Sequence, residues 1–125
     1  QQHGAWIIDD TYNGNIEGIK AGTQLLKDLP AKRKIYVTPG LVDQGASASK
    51  IHRHMGRLIA DAAPDRVVLM KNTATADIQK GLQEAGYKGK VSIETDPLAY
   101  YTNIESFLAA GDVVMMQNDW TDNYA

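Results

Sequence analysis

Apolar residues alternate along this chain between short continuous runs and longer stretches with the spacing of a helix face. The first run, residues 5–9 (A-W-I-I-D), predicts a buried strand. The next apolar positions, from Ile16 to Leu26, recur at helical spacing and predict a helix over about residues 16–28. Pro30 ends that helix, because proline cannot donate the backbone hydrogen bond that a continuing helix needs.

The same alternation continues to the end of the chain. Four further strands are predicted, at residues 34–38, 66–70, 91–95 and 112–117. Three further helices are predicted between them, with apolar stripes at residues 51–62, 78–85 and 98–108. The last of these begins at Asp96, a capping residue followed by Pro97. The order βαβαβαβαβ predicts an α/β fold, a three-layer Rossmann-like domain with a mostly parallel sheet of five or six strands and helices on both faces.

Ligands of such sheets usually bind beyond the carboxyl ends of the strands. The candidate functional residues therefore lie in the segments that follow the strands, at residues 9–15, 38–45, 71–75, 96 and 117–124. None of these segments carries a dinucleotide G-x-G-x-x-G, a P-loop G-x-x-x-x-G-K-[ST] or a G-x-S-x-G nucleophile elbow. The chain thus has no motif that would cradle a triphosphate by itself.

Composition narrows the class further. A length of 125 residues fits a single domain over residues 1–125. Thirteen Lys and Arg against fifteen Asp and Glu give a formal charge of −2, which argues against a broad basic face for nucleic acid. The absence of cysteine excludes a disulfide framework and a thiolate zinc site. The apolar runs are only a few residues long, so we expect neither membrane insertion nor a signal peptide.

Asp9 and Asp10 close the first strand, where a phosphoacceptor receiver domain also places acidic residues that hold Mg²⁺. That fold requires an aspartate at the end of the third strand and a lysine at the end of the fifth. Here the third strand runs V-V-L-M-K and the fifth runs V-V-M-M-Q. Both required residues are missing, so a receiver domain is disfavoured.

Other polar clusters have simpler explanations than a ligand site. His52 and His54 are two residues apart on a helix and point in different directions, so we expect no shared metal site. The basic run from Lys32 to Lys34 is expected to be solvated loop charge. Trp120 and Tyr124 lie in a polar tail, where they either dock on the edge of the sheet or face a partner domain.

Three blocks of the sequence resemble the C-terminal domain of Mur ligases. The stretch I-I-D-D-T-Y-N-G-N at residues 7–15 is similar to the D-D-x-Y-N-A-N-P segment that opens that domain. P-G-L-V-D-Q-G and the downstream H-R-H-M-G are similar to the family's G-x-M-x-E-L-G loop and H-R-x-x-G helix, and G-D-V-V-M-M to its closing G-D-V-V-L-V strand. The resemblance covers essentially the whole chain and is closest to the branch that adds D-alanyl-D-alanine in peptidoglycan synthesis.

The resemblance implies a role within a larger enzyme. Mur ligases activate a substrate carboxylate as an acyl phosphate, which an incoming amine attacks. A central P-loop domain holds ATP with Mg²⁺, an N-terminal domain holds the UDP-sugar substrate, and the C-terminal domain closes over the nucleotide. We therefore expect a domain of a cytoplasmic, monomeric, three-domain ligase with small-molecule substrates, inactive in isolation. The start at Gln1 without methionine agrees with that expectation.

The resemblance also suggests residue roles. Asp10, Tyr12, Asn13 and Asn15 match the family's motif and would lie near the adenine and ribose of ATP. A carboxylate can accept hydrogen bonds from ribose hydroxyls, an aromatic ring can pack on a base, and amides both donate and accept. The alternative is that the asparagines only shape a strand-to-helix turn. For His52 the match favours a structural or interdomain role.

Several positions depart from the family pattern. Ile16 replaces the proline after N-A-N, Gly14 replaces the alanine, and Asp43-Gln44 stands in place of the loop glutamate. The final strand leads into Q-N-D-W rather than K-G-S-R, so a Lys and an Arg that could contact a carboxylate or phosphate are absent. We expect Asn118, Asp119 and Trp120 to form a substrate-side loop. This departure keeps a second hypothesis open, a non-catalytic Mur-like module that binds a nucleotide or a protein.

Overall fold

Five strands and four α-helices alternate in the computed structural model, which describes residues 4–10, 15–41 and 45–117 and gives only the backbone of Asp10 and Glu105. The strands are β1 (Trp6–Asp10), β2 (Arg33–Thr38), β3 (Arg66–Met70), β4 (Lys90–Glu94) and β5 (Asp112–Gln117). The helices are α1 (Ile16–Asp28), α2 (Ala48–Ala62), α3 (Thr75–Glu84) and α4 (Pro97–Thr102). Short 3₁₀ turns at Gly45–Ser47 and Ile104–Phe107 precede α2 and follow α4. The α/β class predicted from the sequence is confirmed.

The five strands form one sheet in the order β1-β5-β2-β3-β4. All four neighbouring pairs are parallel. The last strand is therefore inserted between the first and the second, and β1 and β4 lie at the two edges. The three central strands are the most deeply buried, as expected for parallel strands covered on both faces.

The helices cover both faces of the sheet, as predicted, but unequally. On one face α1, α2 and α3 pack on apolar side chains that include Tyr36, Leu69 and Met115. On the other, α4 and the 3₁₀ turn after it pack on Val37, Val68 and neighbouring side chains. The strand order explains this division, because the crossovers from β1 to β4 all run in one direction and the crossover into β5 runs back. Right-handed crossovers place helices on opposite faces when their direction reverses.

The last helix is shorter than the apolar pattern predicted. The pattern indicated one helix through Leu108, but α4 ends at Thr102 and a separate 3₁₀ turn follows. At the break, the Asn103 side-chain amide donates to the Ala99 carbonyl at 2.9 Å, and Ser106 Oγ donates to the Asn103 carbonyl at 2.6 Å. These local side-chain bonds compete with the backbone bonds of a continuing helix.

The basic run at residues 32–34 is also not simply loop charge. Arg33 begins β2, and its guanidinium is bonded to Asp112 at the start of β5. Lys34 lies in the same strand, and its Nζ donates to the Lys27 carbonyl at 2.9 Å. The run therefore ties the amino end of β2 to two neighbouring elements.

Candidate functional site

The segments that leave the carboxyl ends of the strands meet at one edge of the sheet, because every strand pair is parallel. The predicted site residue Asp10 is the last residue of β1 and is in register with Gln117, the last residue of β5. Asn15 lies at the start of α1. The other residues predicted in this region lie outside the described residues, namely Tyr12, Asn13, Gly14, Asp43, Gln44, Asn118, Asp119, Trp120 and Tyr124.

Asn15 caps α1. Its backbone is extended, and its Oδ1 accepts a hydrogen bond from the Gly18 backbone N–H at 2.8 Å. The bond satisfies one of the amides that a helix start leaves without a partner. Ile16 occupies the first helical position, where proline is favoured and where the family's motif has proline. The turn-shaping alternative thus describes one real function of Asn15, and a nucleotide contact by the same residue stays a prediction.

Gln117 lies beneath α1 with its side chain completely buried. Its Nε2 donates to the Gly18 carbonyl at 2.8 Å, and Tyr36 Oη donates to its Oε1 at 2.5 Å. The helix approaches it closely, since a Cβ added to Gly22 would collide with Gln117 Nε2. The end of β5 is thereby bonded both to the first turn of α1 and to the middle of β2.

Thr38 continues this set of bonds into the loop between β2 and α2. Its buried hydroxyl donates to the Gln117 carbonyl at 2.7 Å and accepts from the Gly40 N–H at 3.1 Å. Gly40 has a φ of +92°, which favours glycine, and an added Cβ would lie 3.0 Å from both His52 Nε2 and Ala74 Cβ. The loop therefore follows a tight path between α2 and the start of α3.

His52 holds the same loop from the helix side. Only 3% of the residue is exposed, and its Nε2 accepts from the Leu41 backbone N–H at 3.0 Å. Nε2 is an acceptor here, so this nitrogen carries no proton. His52 therefore fastens the β2–α2 loop to α2, and an interdomain role for it stays a prediction. Among the described ranges, no three His, Asp or Glu side chains are grouped closely enough to hold a metal ion.

Asn72 bonds the loop between β3 and α3 to the loop between β2 and α2. Its Nδ2 donates to the Pro39 carbonyl at 2.6 Å, and its Oδ1 accepts from the Ala74 N–H at 2.7 Å. The preceding Lys71 N–H donates to the Glu94 carbonyl at 2.9 Å, so the loop is also fixed to the end of β4. The position of Asn72 after a strand marked the segment as a candidate, but the bond to Pro39 had no signal in the sequence.

A strong ion pair lies at the opposite edge, where the strands begin. Asp112 is buried and accepts hydrogen bonds from Arg33 Nη2 at 2.6 Å and from the Ala109 N–H at 2.8 Å. Burial alone would raise the pKa of Asp112, but these hydrogen bonds and the charge of Arg33 outweigh it and lower the pKa. The pair joins β2 to β5 where these strands begin.

The structure defines a Rossmann-like α/β domain in which the described segments at the carboxyl ends of β2, β3 and β5 are hydrogen-bonded to one another or to neighbouring elements, and its sequence carries no glycine fingerprint. Residues 1–117 match the family model described as "Mur ligase, glutamate ligase domain". The chain belongs to the Mur ligase family and corresponds to its C-terminal domain. The family resemblance of the motifs is therefore confirmed.

Two relatives among characterised sequences are each called UDP-N-acetylmuramoyl-tripeptide–D-alanyl-D-alanine ligase. The one from Mycobacterium leprae (strain TN) is 27% identical over 129 residues, covering 91% of this chain and 25% of the relative. The one from Synechocystis sp. (strain ATCC 27184 / PCC 6803 / Kazusa) is 27% identical over 71 residues, covering 57% of this chain and 16% of the relative. The chain thus spans a quarter or less of the length of these relatives.

Solved structures show the same fold. The MurF ligase of Thermotoga maritima, in complex with ADP, aligns with a TM-score of 0.73 at 21% identity, covering 94% of this chain and 25% of that one. MurF from Acinetobacter baumannii aligns with a TM-score of 0.70 at 20% identity, with the same coverage of 94% and 25%. In this chain, the described ranges contain no helix that is long and apolar enough to cross a membrane.

Proposed function

We propose that this chain is the C-terminal domain of an ATP-dependent, amide-forming ligase of peptidoglycan precursor synthesis. In this proposal it closes over ATP on a central P-loop domain and helps to receive an incoming amino acid or dipeptide. An N-terminal domain would hold the UDP-linked substrate. The observation that carries the proposal is the family match over residues 1–117, which includes the D-D-T-Y-N-G-N motif at the carboxyl end of β1. The names of the relatives and the ADP bound to the Thermotoga enzyme support it.

Within the closed enzyme, the turn after β1 would meet the nucleoside part of ATP. The Asp10 carboxylate would accept hydrogen bonds from ribose hydroxyls, and the Tyr12 ring would pack on adenine. Asn13 and Asn15 would supply amide donors and acceptors. Asn15, the last residue of this motif, caps α1 directly before Ile16 and is bonded to the Gly18 N–H in the first turn of the helix.

Closure of the domain would also protect the reaction. An acyl phosphate hydrolyses readily, so the site must exclude water before the amine attacks. Asn118, Asp119 and Trp120 would line the substrate side of the closed site. Mg²⁺ would accompany the triphosphate on the central domain, and the described residues of this chain offer no ligand cluster for it.

We further propose that the full enzyme is a cytoplasmic monomer that acts on small molecules and neither binds nucleic acid nor inserts into a membrane. The near-neutral charge supports the absence of a nucleic-acid partner. The non-catalytic Mur-like module is not favoured, because the relatives are named as ligases. The sequence preceding residue 1 in the full gene decides between the two, since a ligase requires a P-loop of the type G-[ST]-x-G-K-[ST] there.

The test uses the full-length protein, ATP, D-alanyl-D-alanine and UDP-N-acetylmuramoyl-tripeptide, with release of inorganic phosphate and formation of the amide as readouts. Asp10→Ala and Asn13→Ala should each raise the KM for ATP about tenfold or more, the equivalent of one or two lost hydrogen bonds to ligand. Lys88→Ala, an exposed site at the opposite edge of the sheet, should leave KM unchanged. An unchanged KM in both site variants would show that the turn is architectural only.

A further inference from the structure

We propose that Gln117 is a positioning residue whose buried carboxamide sets the seating of the first turn of α1 on the sheet. Through that turn it would set the geometry of the residues that meet the nucleotide. This inference rests on the proposed function. It concerns the position where the family's K-G-S-R begins, and it explains what the glutamine does there instead of a lysine.

The side chain of Gln117 is directed into the protein. Gln117 is 0% exposed, and its side chain is bonded to two groups beneath the surface, the Gly18 carbonyl and the Tyr36 hydroxyl. A side chain held in this way cannot reach out to a carboxylate or a phosphate. Gln117 therefore does not replace the family's lysine as a group that contacts the ligand.

Gly18 is bonded through both its N–H and its carbonyl. Its N–H donates to Asn15 Oδ1 at 2.8 Å, and its carbonyl accepts from Gln117 Nε2 at 2.8 Å. Asn15 belongs to the motif proposed for the nucleotide, whereas Gln117 belongs to a central strand of the sheet. One residue of the first helical turn thus connects the motif to the rigid part of the domain.

Tyr36 and Gly18 together fix the orientation of the Gln117 amide. Tyr36 Oη donates to Gln117 Oε1, so the NH₂ group is directed toward Gly18 rather than toward Tyr36. Gly22, one turn further along α1, leaves the space that the amide fills, and a Cβ at that position would collide with Gln117 Nε2. Both the depth of the helix and the direction of the amide are therefore specified.

The backbone of Gln117 is bonded to the loop between β2 and α2. The Gln117 carbonyl accepts from Thr38 Oγ1 at 2.7 Å, and Thr38 Oγ1 accepts from the Gly40 N–H at 3.1 Å. Loss of the Gln117 side-chain bonds leaves this backbone contact in place. A substitution at Gln117 should therefore act mainly on the β1–α1 turn.

The test compares Gln117→Met with Tyr87→Phe in the full-length enzyme. Methionine has a similar volume but no amide, so the variant removes the bonds to Gly18 and Tyr36 with little change in packing. Tyr87→Phe is the control, because it removes a partly buried hydroxyl bond to the Pro64 carbonyl, 2.6 Å long, at the opposite edge. Gln117→Met should raise the KM for ATP about threefold to tenfold, the equivalent of one typical hydrogen bond, with the KM values of the other two substrates within about twofold. Tyr87→Phe should leave all three within about twofold.

Hydrogen exchange of the full-length protein gives a readout that needs no activity. Amides of residues 18–22 should exchange faster in Gln117→Met than in the wild type or in Tyr87→Phe. Gly22→Ala should produce the same two changes from the helix side, and it replaces Gln117→Met if that variant does not fold.

Unchanged exchange would overturn the positioning role, and so would an equal KM shift in Tyr87→Phe. Faster exchange with an unchanged KM for ATP would overturn the link to the nucleotide. A wild-type enzyme without ligase activity would contradict the proposed function, while the exchange measurement would still decide whether Gln117 seats the helix.

Discussion

Gly56 of α2 and Gly81 of α3 bring the backbones of these two helices into direct contact. A Cβ added to Gly81 would lie 3.0 Å from Gly56 Cα and would collide with the Arg53 carbonyl. A Cβ added to Gly56 would lie 2.8 Å from the Leu82 nitrogen. Neither obstacle is the flexible end of a side chain, so the helices would have to move apart to accept even one methyl group.

Gly81→Ala should therefore destabilise the domain although alanine favours a helix by about 1 kcal/mol over glycine. Overpacking of this kind costs about 1–3 kcal/mol. Urea unfolding should show a lower midpoint for Gly81→Ala, whereas Gln83→Ala, on an exposed position of the same helix, should change little. A midpoint raised by Gly81→Ala would contradict the close contact of the two helices.

Asp112 and Arg33 should make the stability of the domain sensitive to acid. The pKa of Asp112 is lowered in the folded state, so its contribution is complete above the ordinary Asp value of about 3.9 and is lost as pH falls through the lower folded value. Asp112→Asn should cost about 1.5–3 kcal/mol at pH 7, the value of hydrogen bonds to a charged group.

The measurement is the urea midpoint at neutral pH and at several values below about pH 4. Asp112→Asn should reduce the acid-dependent part of the loss, so its stability should approach that of the wild type as pH falls. Asp61→Asn is the control, since it removes an exposed ion pair with Lys27, 3.2 Å long, which is worth at most about 1 kcal/mol. A constant difference between Asp112→Asn and wild type at all pH values would refute the assignment.

His52→Leu should free the backbone amide of Leu41. Leucine can fill the buried position of the imidazole on α2, but it cannot accept the 3.0 Å hydrogen bond that the amide donates to His52 Nε2. A buried donor without a partner costs about 1–3 kcal/mol. NMR hydrogen exchange should show faster exchange for Leu41 in the variant, with little change at Val68 in the neighbouring strand. Equal protection of Leu41 in both proteins would mean that His52 is not its main partner.

Asn15 allows the cap to be separated from a ligand contact. Asn15→Ala should lower stability by about 1 kcal/mol, because the Gly18 amide loses its acceptor, while Asn15→Asp should retain the cap. If the amide of Asn15 also contacts the nucleotide, as proposed, Asn15→Asp should restore stability but not the KM for ATP. Restoration of both would assign Asn15 to the helix cap alone.

The bounds of the elements could be predicted where local chemistry marks them. The helix predicted over about residues 16–28 agrees with α1 because Asn15 caps its start and Pro30 follows its end. The end of α4 was missed because the apolar spacing continues past Asn103, whose side chain bonds locally to Ala99. The order of the strands could not be derived from the pattern, because pairing between parallel strands depends on residues far apart in the chain.

The sequence predicted which segments follow the carboxyl ends of the strands, but it did not predict the bonds between them. Parallel strands direct their following loops to one edge, so Asn72 and Gln117 were already in candidate segments. Tyr36 and Thr38, by contrast, read as ordinary strand residues, since aromatic and β-branched side chains favour strands. Their bonds to Gln117 span 81 and 79 positions of sequence, and no spacing rule signals contacts at such distances.

The position of β5 between β1 and β2 affects how the domain folds during synthesis. Trp6 pairs with Val113, so β1 leaves the ribosome long before the strand that binds it. Until β5 is synthesised, β2 also lacks one of its two neighbouring strands, and the five-stranded sheet cannot form. Contacts this distant in sequence slow folding and expose strand edges meanwhile. The sheet is therefore completed only when β5 has been synthesised. A polypeptide cut before Asp112 would leave β1 without its partner in the sheet.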